Sequence, residues 1–217
     1  MSFEVVNPVI NAYMQKDHKH MMDGIMFVVL SVKAPFSTMD MQMRDYREKG
    51  RDSKYIWGWK KDTYDYLQKN SEELYYQLMY LSKKRWSSGT GAHMSDRTIR
   101  DRKMMLVLTN VPGLGLAKAG FVMQMMFGRV GCIDVHNLRR LRTVSIKDLQ
   151  FTKMLSDETK MKKIENYVDI CKHNNSTKRL WDQWCEQLTQ KKCNKSKFST
   201  GWDVSVFHLS ALTGRTI

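Results

Sequence analysis

Residues 111–140, VPGLGLAKAGFVMQMMFGRVGCIDVHNLRR, leave the backbone few choices. Pro112 fixes its own φ, while Gly113 and Gly115 permit backbone angles that a Cβ would forbid. An apolar helical run follows, then the Phe127-Gly128 turn, then an acid, Asp134, and the paired Arg139 and Arg140. Two glycines flanking Leu114 let backbone N–H groups approach a phosphate at the start of the next helix, where the helix dipole favours an anion. The stretch therefore reads as two helices joined by a tight hairpin suited to an anionic backbone.

Composition agrees with such a partner. The 217 residues are 42% hydrophobic, enough to bury a core as one domain or two small lobes. Formal net charge is +14, which suits a polyanion, nucleic acid first and an anionic membrane surface second. The apolar run from Gly24 to Val32 is short and Asp23 stands at its entrance, so it does not read as a signal peptide. No segment reaches the roughly 18 to 20 apolar residues that span a bilayer. A soluble intracellular protein is expected, in cytoplasm or nucleoid, with no membrane partner.

Proline is scarce, with Pro8, Pro35 and Pro112 the three present, and Leu, Met, Lys, Glu and Gln fill long segments. That composition favours helix nearly throughout. The pattern predicts helices over 8–16, 20–33, 37–49, 60–69, 71–84, 95–109, 115–127, 135–142, 145–153, 156–173 and 176–190. Ser95 with Asp96, Ser145, Ser156 and Ser176 read as caps, and the stretch from Ser87 to Ala92 as a flexible connection. Seventeen methionines fit adaptable core packing. The fold class expected is all-α.

The 111–140 stretch resembles the helix-hairpin-helix region of the DNA glycosylase superfamily related to endonuclease III. There a PGVG-type hairpin is followed downstream by an essential Asp in a VDTH- or VDVH-like sequence. The counterparts are Pro112-Gly113-Leu114-Gly115 and Ile133-Asp134-Val135-His136. The resemblance implies two helical lobes with a DNA-binding cleft between them. One lobe, 54–141, carries the hairpin; 1–53 plus 142–217 form the other. It implies duplex DNA as partner, a monomer, and hairpin contacts through Gly113, Leu114 and Gly115, with room there for a monovalent cation. Viral proteins are among those resembled, so a viral source is open.

Asp134 is the expected catalytic group. Breaking an N-glycosidic bond develops positive charge on the sugar, which a carboxylate stabilises, or the carboxylate activates water. Asp134 also reads as a helix N-cap, and both roles can hold together. Bifunctional relatives place a Schiff-base lysine two residues after the second hairpin glycine. Ala117 stands there, and the lysine comes one step later, at Lys118. One residue turns a helical side chain by about 100°, so Lys118 is expected to miss that position and to contact a phosphate or solvent. Hydrolysis without lyase chemistry follows.

Upstream, FVVLSVKAPFSTMD (Phe27 to Asp40) resembles the family segment of LLSAQTTD type, whose Gln fills the gap left by a flipped nucleotide. Lys33 takes that place, either filling the gap, reaching a phosphate or standing solvated. Ser31 and Ser37 are candidates for hydrogen bonds near the pocket. Base extrusion also needs aromatic faces, and YIWGWKKDTY interleaves Tyr55, Trp57, Trp59 and Tyr64 with Lys54, Lys60 and Lys61. Trp57, Trp59, His136, Asp203 and His208 are candidate pocket residues, with core packing or structural hydrogen bonding the plainer role. Arg139 and Arg140 are candidate phosphate contacts. Arg97, Arg100, Arg102 and Lys103 read as an exposed helix face, and Trp181, Trp184 and Gly201 to Leu212 as docked apolar segments.

Many of the resembled enzymes carry an iron–sulfur cluster on four closely spaced C-terminal cysteines. Cys132, Cys171, Cys185 and Cys193 lack that spacing, and a zinc site from Cys171, His173, Cys185 and Cys193 fits the usual ligand spacing poorly. No metal or other cofactor is expected. Three functions remain open: a monofunctional DNA glycosylase, a virus-type transferase that modifies the thymine base, and a DNA-binding module without catalysis.

Overall fold

A computed structural model describes residues 8–32, 34–35, 38–83, 93–134, 137–138, 145, 149–151 and 155–173. Lys33, Ser37, His136, Arg139, Arg140, Cys185, Cys193, Asp203 and His208 lie outside them, as do the expected helix 176–190, Trp181, Trp184 and the Gly201 to Leu212 segment. The described residues are all-helical, without strands.

Helix α1 (Pro8–Met14) starts on proline, whose fixed φ suits a first helical turn. Helix α2 (His18–Leu30) begins two residues before the predicted start because Asp17 caps it, accepting the His20 backbone N–H at 2.9 Å. From Met21 to Leu30 nearly every residue of α2 is buried, the pattern of a central helix. It packs against α1, α3 (Met39–Lys49), α4 (Trp59–Lys83) and α6 (Leu116–Phe127). Asp23 ties the first three helices together, accepting the Tyr13 hydroxyl at 2.9 Å and Arg47 Nε at 3.1 Å.

The two helices predicted over 60–69 and 71–84 are one. Leu67, Ser71, Leu74 and Leu78 are buried along a single stripe, which carries α4 through the polar Asn70-Ser71 pair. Asn70 turns its amide back to the Tyr66 carbonyl, 2.8 Å away. Helix α5 (His93–Thr109) places Ser95 inside the helix instead of at its cap. Helix α7 (Asp157–His173) does start at Ser156, whose hydroxyl oxygen accepts the Thr159 N–H at 3.3 Å. In the predicted helix 145–153 the described residues are not α-helical.

One cluster of buried side chains runs from Ile10 to Cys171, and methionines from Met14 to Met126 fill much of it. Helix α1 is docked on the end of α6, where Asn11 Nδ2 and Gln15 Nε2 both donate to the Met126 carbonyl, at 2.5 and 2.6 Å. That carbonyl is one of the acceptors a helix C-terminus leaves open. The basic run on α5 is not simply a solvated face. Arg102 reaches α7, with Glu165 at 3.2 Å and Asp169 at 3.1 Å, and Asp101 is buried beside Arg129.

Candidate functional site

Helix α5 ends at Thr109, and a glycine turn leads into α6. The Leu114 N–H closes the turn by donating to the Val111 carbonyl at 3.1 Å, and its side chain is buried. Gly113 has φ of +79°, and a Cβ on it would strike the Trp59 ring and come within 2.8 Å of Thr63 Oγ1. Only glycine satisfies both constraints. Gly115 differs: its φ is −79° and nothing stands within 4 Å of a Cβ built on it. It therefore leaves open space where α6 begins. Gly115 is the N-cap of α6, and no side chain makes a capping hydrogen bond at that end.

The start of α4 is latched beneath the turn. Thr63 is wholly buried, and its hydroxyl donates to the Pro112 carbonyl at 2.7 Å. Lys118 lies above the Trp59 ring, its Nζ 3.8 Å from the centroid, and donates to the Gly113 carbonyl at 2.6 Å. The turn thus already holds a cation of the chain's own. Burial, with repulsion from Lys60 second, lowers the Lys118 pKa to about 8. Burial lowers Lys60 as well.

At the other end of α6, Gly128 adopts the left-handed cap with φ of 59°. Val130 also has positive φ, 56°, a strained conformation for a β-branched residue. Together they reverse the chain. A Cβ on Gly120 would run into the Gly131 carbonyl, so within four residues of Phe127 the chain has returned alongside α6 by seven helix positions, about 10 Å. Asp134 lies three residues further along the chain.

Four side chains hold the return segment. The Tyr167 hydroxyl donates to the Gly131 carbonyl at 2.7 Å and accepts the Ile133 N–H at 2.8 Å. Gln124 Oε1 accepts the Cys132 N–H at 3.2 Å, and Asn137 Nδ2 donates to the Cys132 carbonyl at 2.6 Å. Cys171 Sγ donates to the Gly131 carbonyl at 3.8 Å. Tyr167 is fully buried, which pushes its hydroxyl pKa well up and keeps it a donor. The segment is therefore clamped on both of its edges just before the carboxylate. Asp134 itself is half-buried and caps the next helical turn, with Oδ1 accepting the Asn137 N–H at 2.8 Å.

The other sequence candidates separate. Ser31 ends α2, and its hydroxyl donates to the Val28 carbonyl at 2.8 Å. Trp59 is half-buried under the turn, whereas Trp57 is 58% exposed, with Lys60 Nζ 5.6 Å from its ring centroid. Lys54 stands 5.1 Å from the Tyr55 ring, and Tyr64 packs edge-on against Tyr46. Tyr167, Gln124 and Asn137 carry no motif and were missed in the sequence; the one available signal was Gln124, the single polar residue in the apolar run from Phe121 to Phe127. Cys132 and Cys171 are free and buried, and burial raises both thiol pKa values, so neither is poised as a thiolate. Among the described residues no group of three or more His, Cys, Asp or Glu is arranged to hold a metal, and no helix is long and apolar enough to cross a membrane. No family model, no curated protein and no solved structure matches the chain.

Proposed function

We propose that this chain is a monofunctional DNA glycosylase. It binds duplex DNA through the glycine turn, acting as the hairpin of a helix-hairpin-helix motif, and hydrolyses the N-glycosidic bond of a damaged or modified base with Asp134. The observation that carries the reading is the clamped return segment. Tyr167, Gln124 and Asn137 fix the backbone of residues 131–133 and so hold the half-buried carboxylate that follows them. A carboxylate positioned in advance is what a cationic sugar transition state requires. The amides at the start of α6 supply the phosphate contact, and the excess of basic residues suits the polyanion.

Water is the acceptor in this scheme. Lys118 is engaged with the turn's own carbonyl and lies over Trp59, and Ala117 offers no nucleophile. The test is incubation with duplexes bearing uracil, 5-hydroxymethyluracil, oxidised purines, mismatched adenine or alkylated bases, followed by alkali. Strand breaks that vanish in Asp134→Asn support the glycosylase. A change in base mass without abasic sites supports the base-modifying transferase instead. Binding with neither outcome leaves a DNA-binding module.

A further inference from the structure

Helix α4 carries a polar face that neither the core nor the glycine turn uses. Between this face and the end of α5 lies a cavity of about 200 Å³. Tyr66, Leu74 and Val107 form its walls, and its polar atoms come from Asn70, Glu73, Gln77 and Asn110. Neither lysine nor arginine lines it, although the chain carries 36 of them against 22 acidic residues. The volume is below the roughly 300–1,000 Å³ of a small-molecule pocket and suits a single side chain.

The hydrogen bonds around the cavity decide what that side chain must be. Asn70 Nδ2 donates to the Tyr66 carbonyl at 2.8 Å, and Gln77 Nε2 donates to Glu73 Oε1 at 2.9 Å. Both amides spend a donor on the chain itself and keep their oxygens, and Glu73 keeps Oε2. Three acceptors, one of them anionic, thus share the cavity with the Tyr66 ring. A guanidinium answers this set with donors spread over a plane, and its flat face suits an aromatic wall. Asn110 offers the reverse. Lys160 Nζ donates to its Oδ1, so its Nδ2 is left to donate, as a peptide carbonyl requires.

Tyr76 and Tyr80 continue the patch. They stand three residues beyond Glu73 and Gln77 on the same helix, 63% and 61% exposed, and add aromatic surface of the kind enriched at protein interfaces. We propose that this face of α4 docks a partner protein, one arginine of which enters the cavity with its guanidinium against Glu73. DNA meets no lysine or arginine lining this cavity, so the surface serves a different partner from the glycine turn. The site stands apart from the function proposed above.

The test is an NMR titration of the full chain at physiological salt with three blocked pentapeptides, alanine throughout except for a central arginine, lysine or citrulline. Citrulline keeps the shape of arginine and removes its charge. The expected result is binding of the arginine peptide at least fivefold tighter than the lysine peptide and tenfold tighter than the citrulline peptide, with shifts in the side-chain amide signals of Asn70, Gln77 and Asn110. Glu73→Gln should weaken the arginine peptide at least fivefold. Glu72→Gln, which alters an exposed carboxylate outside the cavity, should leave it unchanged. Both positions are exposed, so both variants should fold. Equal affinity for the three peptides, no binding of any, or an arginine preference that Glu73→Gln retains overturns the site. An equal loss in Glu72→Gln also overturns it, since general charge attraction then accounts for the binding. Shifts of the same three amides on adding duplex DNA would assign the face to nucleic acid instead.

Discussion

The hydroxyl of Tyr167 on α7 lies 2.6 Å from the point where Gly120 on α6 would carry a Cβ. Through that gap it donates to the Gly131 carbonyl and accepts the Ile133 N–H. Tyr167→Phe keeps the ring and deletes both hydrogen bonds, leaving a buried N–H without its partner. A loss of about 1–3 kcal/mol in stability is expected by urea denaturation. Base excision should fall further than folded fraction explains, because the segment before Asp134 loses its clamp. Unchanged excision in a folded Tyr167→Phe protein would mean that the clamp is structural only.

Gly120→Ala tests the same relationship from the other side. The new methyl meets the Gly131 carbonyl, which is backbone and cannot swing away as a side chain could. The expected cost is about 1–3 kcal/mol, the usual range for overpacking, visible as a lowered thermal midpoint. Gly115→Ala is the matched control for stability, since its Cβ would enter open space at an ordinary φ; a large destabilisation there would contradict the turn geometry.

Arg129 and Asp101 form a buried pair at 3.5 Å, with side chains 4% and 6% exposed. Arg129→Leu leaves the carboxylate buried, so a loss of roughly 3–5 kcal/mol is expected. Arg97, Arg100 and Lys172 lie near enough to Asp101 to place the result at the lower end. The double variant Arg129→Leu, Asp101→Leu should recover a substantial part of the loss. Denaturant midpoints of the three proteins decide it; additive losses would mean that the two groups do not interact.

The helices were legible from composition because a proline-poor chain rich in Leu, Met, Lys and Glu has little else to form. The boundary at Ser156 was legible from its local cap, whereas the equally local Asp17 cap of α2 went unread. The Asn70-Ser71 pair looks like a break in one dimension, but the buried stripe of Leu67, Leu74 and Leu78 overrides it. The two turn glycines look equivalent in sequence, yet only Gly113 needs its missing Cβ, because Trp59 and Thr63 come from a helix far away in the chain. Lys118 was expected to contact a phosphate or solvent, whereas it donates to the Gly113 carbonyl and lies over the Trp59 ring, groups that meet it only in the fold. The clamp on Asp134 was invisible for the same reason: Tyr167 lies beyond the segment whose motif could be matched.

If the lysines at the turn neutralise phosphates, duplex affinity should fall steeply from low to physiological salt, with a logarithmic slope of about −0.9 per phosphate contact. Lys60→Met and Lys118→Met should each make that slope shallower by about one. Fluorescence anisotropy on an undamaged duplex at several salt concentrations measures this. A slope near zero in the wild-type protein would remove nucleic acid as the partner.

The lowered pKa of Lys118 makes a pH prediction whose sign is fixed. Burial, and then Lys60, bring it from 10.5 to about 8 in the folded chain. Below pH 8 both folded and unfolded chains hold the proton, and the folded state bears the full penalty of a desolvated charge. Between pH 8 and 10.5 the unfolded chain still holds it and the folded chain does not, so stability from this group rises with pH across that window. Lys118→Met has no such group. Its stability relative to wild type should therefore be highest near pH 7.5 and decline toward pH 10, on top of a constant offset for the lost Gly113 hydrogen bond. Urea midpoints of both proteins at pH 7.5, 8.5 and 9.5 give the comparison. A difference that stays flat across the three would place the Lys118 ammonium in solvent, away from Trp59.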